Sequence, residues 1–147
     1  MATTLRQAAY AKLKDSSITS LLSGGSSGVL LSGRVQVDSP SPCIALEMGP
    51  ESGRVGDLPF TAQTFNVYCY ARTPAASMSD FTVIDKILKA VRDVLHGASL
   101  TLDGQGKVAF DCAWDNYSSG DNYDERRRAF YRYERYRVWM VLTTHYH

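Results

Sequence analysis

Long apolar runs are missing from this chain of 147 residues. No stretch approaches the roughly 20 apolar residues of a membrane-spanning helix, so none is predicted. Met1 to Leu5 lacks the basic-then-apolar pattern of a signal peptide, so synthesis in the cytoplasm is expected. An excess of one charge is missing too: 16 Lys+Arg stand against 15 Asp+Glu. That balance is unlike the strongly basic chains, with pI above about 9, that live on nucleic acid. Cysteine is scarce. Cys43, Cys69 and Cys112 are odd in number, far apart and set among apolar residues, which predicts buried thiols rather than a disulfide framework.

Catalytic constellations are also wanting. Nucleophilic hydrolysis needs Ser or Cys beside His. Here His96 follows a helix-like segment, His145 and His147 lie at the end of the chain, and no serine sits in a nucleophile-elbow pattern. Gly106-Lys107 resembles the end of a phosphate-binding loop, but Val108 stands where the magnesium-holding Ser/Thr belongs. Asp111 and Asp115 are an isolated carboxylate pair, with Asp111 on the solvent side of an alternating segment. His145-x-His147 reads as a frayed tail before it reads as a metal site. The expectation is a non-enzyme with no catalytic residues, cofactor or metal.

What is present is a long aromatic and arginine-rich run near the end. From Arg127 to Thr144 it holds 18 residues with no Gly or Pro, which predicts one strand of roughly 59 Å. A domain of this length is only about 38 Å across. The strand therefore has to bend or reach a neighbour. Tyr136, Val138, Met140 and Leu142 make one apolar face, while Tyr131 and Tyr133 lie on the other parity. That change near Glu134 predicts a bulge or a move from one packing environment to another.

The rest of the chain reads as alternating helix and strand signals. Leu5, Ala8, Ala9 and Leu13 recur at helical spacing behind Thr3 or Thr4 as N-cap, and Asp15-Ser16 introduces a short second helix with Ile18, Leu21 and Leu22. Ser23 to Gly28 reads as a flexible connector. Arg34 to Val37 and Cys43 to Met48 read as strands separated by prolines. Thr61 to Ala71 alternates Phe65, Val67 and Cys69 against Asn66, Tyr68 and Tyr70. Between the last two strands, Gly49 to Pro59 is an oversized hairpin tip, which favours a functional projection with Glu51, Arg54, Asp57, Leu58 and Phe60 as its candidate contacts. Phe81, Ile84, Ile87, Leu88, Val91, Val94 and Leu95 form the apolar face of the strongest helix. It is capped by Ser77 or Ser79, carries Asp80 in its first turn, and is stopped at His96-Gly97. Val108, Phe110, Cys112 and Trp114 alternate as the buried face of a further strand. The predicted architecture is α+β: one domain, 1–147, with an antiparallel sheet of four or five strands and two main helices packed on one face.

Six arginines fall between Arg126 and Arg137, and against Asp124, Glu125 and Glu134 they leave a local surplus of three positive charges. Aromatic faces with Arg suit single-stranded nucleic acid, where bases stack and guanidinium groups meet phosphate. Tyr, Trp and Arg are also the residues enriched at protein interfaces. A plain sheet strand with Arg–Tyr cross-strand pairs is the third reading. The balanced total charge and the interleaved Glu134 favour a protein interface at Arg126, Arg127, Arg128, Tyr131, Arg132, Tyr133, Arg135 and Arg137. In that reading Arg126 to Arg137 is an assembly edge, and double charge reversal at Arg132 and Arg135 weakens association without harming the fold.

The order of these segments resembles the tail terminator (tail-completion) family of long-tailed bacteriophages. The resemblance rests on the opening helix, Asp15 to Leu22, Gly33-Arg34-Val35, Pro42-Cys43-Ile44-Ala45-Leu46, Phe65-Asn66-Val67-Tyr68-Cys69-Tyr70, the helix with Ile84, Leu88, Val91 and Leu95, Leu100-Thr101-Leu102 and the Arg-rich final strand. It implies a structural virion protein. Such proteins form a ring, typically a hexamer, that caps the head-proximal end of the tail tube, stops tube polymerisation and presents the head-joining surface. The partners it implies are other copies of the chain, the tail tube protein and the head connector or stopper, with DNA passing through the lumen without sequence-specific binding and no membrane partner. The implied location is the virion, in the neck. Another neck component, such as a head-completion or stopper protein, is the neighbouring alternative.

Overall fold

The computed structural model describes residues 3–31, 34–36, 38–52, 60–72 and 79–143. In chain order the elements are α1 (Leu5–Lys12), α2 (Ser16–Thr19), a 3-10 turn (Gly25–Gly28), β1 (Val29–Leu31), β2 (Cys43–Ser52), β3 (Phe60–Ala71), α3 (Ser79–Leu95), β4 (Lys107–Ser118), β5 (Asn122–Asp124) and β6 (Ala129–Leu142). The strands make one sheet in the order β1-β2-β3-β6-β4, and β5 continues beside β6. All pairs are antiparallel except β1 with β2. The α+β class is as expected. The six strands exceed the expected four or five because β1 and β5 have only three residues each, too few to show a period in the sequence.

Local chemistry explains the helix ends. The Thr4 hydroxyl accepts from the Gln7 backbone N–H, and the Gln7 side chain accepts from the Thr4 N–H, closing a capping box. The Asp15 carboxylate accepts from the Ser17 N–H and is held below the usual carboxylate range by that bond and by the Ser17 hydroxyl. At the end of α3, Gly97 adopts φ +79°, the left-handed conformation favourable to glycine, and its N–H bonds the Cys112 carbonyl of β4 at 2.7 Å. The expected caps Ser77, Ser79 and Asp80 fall outside the described side chains.

The helices cover one face of the sheet. Leu5, Ala9, Leu13 and Ile18 from α1 and α2, and Ile84, Ile87, Leu88, Val91 and Leu95 from α3, pack on Ile44, Leu46, Phe65, Val67, Tyr136, Val138 and Met140. Phe65 and Tyr136 stack at 5.6 Å in the middle of this core. All three cysteines are free and buried. Burial pushes Cys43 up to about 11 and Cys112 up to about 12, and raises Cys69 as well.

Several sequence expectations are corrected. The flexible connector is instead a turn followed by the 3-10 segment, where buried Gly28 lies against Leu22. The strand expected at Arg34–Val37 is absent from the described residues 34–36. The parallel strand forms at Val29–Leu31 instead, and its bare apolar run carries no alternation to signal it. β4 does not bury the Val108–Phe110–Cys112 parity. A bulge between Ala109 and Asp111 turns Ala109 and Cys112 inward and leaves Val108 45% and Phe110 56% exposed. Conversely β6 has no bulge at Glu134. It pairs with β3 without a break from Phe130 to Val141, and the irregularities fall in its partners.

Candidate protein interface on the open sheet face

β6 is central rather than an edge. β3 flanks one side along nearly its whole length, and β4 and β5 share the other. Its backbone groups are therefore committed to neighbours within the chain, and the 14 residues, about 46 Å, are accommodated beside strands of 12. The assembly edge expected of Arg126 to Arg137 is thus corrected to side chains on two faces and a turn.

Even positions of β6 face the helices. Phe130 packs on Phe81 at 4.9 Å. Arg132 forms an ion pair with Asp85 of α3 and reaches Asp121 at 3.5 Å. Glu134 is buried and ion-pairs with Arg92 of α3, whose guanidinium also covers the Trp114 ring at 3.7 Å. Arg132 therefore ties α3 to the sheet, and charge reversal there breaks a contact within the chain. The sequence expectation of a purely associative effect at Arg132 is corrected on that ground.

Odd positions of β6 form the other face together with the alternate residues of β3 and the far end of β4. Tyr68, Tyr70, Tyr131, Tyr133 and Tyr117 make one connected set. Ring centroids lie at 4.6 Å for Tyr68–Tyr133, 5.5 Å for Tyr70–Tyr131 and 5.9 Å for Tyr117–Tyr133. Arg135 lies over Tyr117 at 4.4 Å and donates to Asn66 Oδ1 at 3.4 Å. Arg137 pairs with Asp115 at 3.3 Å. Asp115 is thereby engaged, while Asp111 is exposed on the far side of the bulge. Glu47 accepts from Tyr68 Oη and Asn66 Nδ2. Burial, then the nearby Glu47 carboxylate, raises the Tyr68 hydroxyl. Burial pushes Tyr70 up to about 12 against the opposing pull of Arg127, and the bond to Tyr117 raises Tyr133. These hydroxyls stay protonated at neutral pH, and that of Tyr68 donates to Glu47.

One corner of this face is closed from within the chain. Val35 is buried against Cys43, Ala45, Tyr70 and Ala129. Arg127 holds it there, donating from Nε to the Val35 carbonyl at 3.1 Å while pairing with Asp124 at 2.7 Å. The remaining open surface carries aromatic and aliphatic groups at its other end, where Phe60 packs on Phe110 at 5.8 Å beside Val108 and Val141.

The projecting-loop residues divide likewise. Glu51 belongs to β2, not to a loop, and pairs with Lys107 at 2.6 Å. Phe60 is the first residue of β3. The strands run further toward the tip than expected because a register shift between Met48 and Glu51 carries β2 past Gly49-Pro50. Arg54, Asp57 and Leu58 lie outside the described residues, as do His145 and His147. Sequence reasoning did not place Tyr68, Tyr70 and Tyr117 in the candidate interface, although the outward alternation of Tyr68 and Tyr70 was visible. Tyr117 lies beyond a second bulge between Trp114 and Tyr117, which hides its side. No group of three or more His, Cys, Asp or Glu among the described residues is placed to hold a metal.

No family model matches the chain, and no curated protein matches it in sequence. A solved structure matches it in fold. A chain of the "Virion of native gene transfer agent (GTA) particle" covers 90% of this chain and 91% of its own length, with a TM-score of 0.64 and 15% identity. What the two share is a fold. The likeness extends over most of both chains.

Proposed function

We propose that this chain is a non-enzymatic structural subunit of a phage-like virion, acting as a tail terminator: a ring at the head-proximal end of the tail tube that stops tube growth and offers the head-joining surface. The observation that carries the reading is the open sheet face. Apart from Tyr70, which the Val35 segment buries, its contacting tyrosines, with Arg135 and the Phe60–Phe110 pair, have no helix packed over them among the described residues. Tyrosine and arginine dominate binding energy at protein interfaces, and a ring needs two different patches per subunit. The fold shared with a virion chain and the resemblance to tail terminators support the same role. Its partners in this reading are further copies, the tube protein and the connector or stopper, and another neck component is the alternative within the class.

Size exclusion with light scattering tests it. The expected result is a ring-sized mass, or a monomer that joins purified tail tubes, with Tyr133→Glu abolishing assembly while lowering the melting temperature only modestly through loss of its stack on Tyr68. A monomer that ignores tubes overturns the proposal. Arg135 over exposed Tyr117 is also a platform on which a base can stack. That second reading predicts oligonucleotide binding that falls steeply with salt.

A further inference from the structure

The turn between β5 and β6 carries Glu125, Arg126, Arg127 and Arg128. Arg127 anchors it to the 34–36 segment through the Val35 carbonyl. Arg72, one residue beyond β3, holds the same region by donating to the Gln36 and Ser39 carbonyls. These bonds gather five arginines, Arg34, Arg72, Arg126, Arg127 and Arg128, at one corner of the molecule. Asp38, Asp124 and Glu125 oppose them, which leaves two net positive charges. Arg34, Arg126 and Arg128 are exposed, and their side chains make no hydrogen bond or ion pair among the described residues. The five lysines, at 12, 14, 86, 89 and 107, belong to other elements.

Arg128 adds an independent sign. It adopts φ +52°, where a Cβ is unfavourable and glycine or asparagine is preferred. Its side chain makes no hydrogen bond, ion pair or ring contact among the described residues. Backbone held in such a conformation by a bulky residue directs attention to function.

We infer that this arginine corner is a docking point for an acidic protein surface, engaged through Arg34, Arg126 and Arg128. The forked guanidinium matches carboxylates two bonds at a time. A protein surface of mixed sign also tolerates the interspersed Asp38 and Glu125. A duplex with one charge per about 1.7 Å would set phosphates against them. The inference concerns an isolated subunit and holds whether or not the chain forms a ring.

Fluorescence anisotropy on the full chain tests it, with a labelled decaglutamate peptide as probe and a labelled 20-base-pair duplex as competitor class. The expected result is peptide binding that weakens about tenfold between 50 and 300 mM salt and by at least about tenfold in the Arg126→Ser/Arg128→Gly double variant. Arg128→Gly alone should weaken peptide binding yet raise the melting temperature by roughly 2 °C, since it relieves the strained φ and removes no partner. Absent peptide binding, or binding indifferent to the double variant, overturns the inference. Duplex binding about ten times tighter than peptide binding overturns it in favour of phosphate. A lower melting temperature for Arg128→Gly shows that Arg128 is structural, and likewise overturns it.

Discussion

Glu134 is the residue on which the helix–sheet joint turns. It sits 3% exposed beside an apolar core, and its ion pair with Arg92 compensates the loss of hydration. Its Oε1 has no hydrogen-bond partner among the described residues, so the Arg92 contact carries the balance. Arg92→Ala leaves a buried carboxylate alone and removes the guanidinium from the Trp114 face. Breaking a fully buried pair costs about 3–5 kcal/mol, and Arg92 is partly exposed, so a loss of about 2 kcal/mol is expected. Urea unfolding measures it, with Glu134→Gln/Arg92→Ala recovering part of the loss because the uncompensated charge is gone. The sequence showed Glu134 as an acid among arginines. It did not show that its partner lies 42 positions earlier, because a sheet position acquires its environment from whichever helix packs over it.

At the scale of elements, bulges decide which residues are presented. The shift in β2 between Met48 and Glu51 brings the backbone of Gly49 against β3. A Cβ on Gly49 would stand 2.5 Å from Thr64 Oγ1 and 2.9 Å from the Thr64 carbonyl oxygen. The hydroxyl can rotate away, but the carbonyl belongs to a strand paired on both sides. Gly49→Ala is therefore expected to destabilise the protein by about 1–3 kcal/mol. A melting curve unchanged from the parent would show that the β2–β3 edge yields easily. The same logic governs Phe110. Alternation alone puts it inside, and one extra residue in β4 puts it outside against Phe60. Helices were legible in advance because their signals are local: the Thr4–Gln7 box, the Asp15 cap and the 3.6-residue period of α3. Bulges were not, because an inserted residue shifts every later side chain without changing composition.

For the molecule as a whole, burial of thiols and phenols sets the alkaline limit. Cys43 and Cys112 are pushed up to about 11 and 12, and Tyr70 up to about 12, chiefly by burial. In the unfolded chain these thiols ionise near pH 8.5 and the phenol near pH 10. Above those values the unfolded state holds fewer protons than the native one, so stability declines as pH rises. The stability contributed by the protonated thiols is fully present below about pH 8.5 and is lost as pH climbs toward 11–12. Urea midpoints at pH 8 and pH 10 should show the decline. Alkylation with iodoacetamide at pH 8 should modify the native thiols slowly and all three promptly in denaturant. Equal midpoints would mean that the thiols titrate normally and are accessible in the folded protein.

The sequence by itself determined the α+β class, the extents of α1, α3 and β3 to within a residue or two, the burial of the three cysteines and the concentration of arginine and tyrosine near the end. Each of these follows from period, composition or a cap, all properties of neighbours along the chain. Only the tertiary structure decided that β6 is central, that Arg132 serves α3 while Tyr131, Tyr133 and Arg135 serve the open face, and that Arg126 and Arg128 are exposed at the same corner as Arg34. Those outcomes depend on strand order, register and bulges, where one residue of displacement exchanges the buried face for the exposed one.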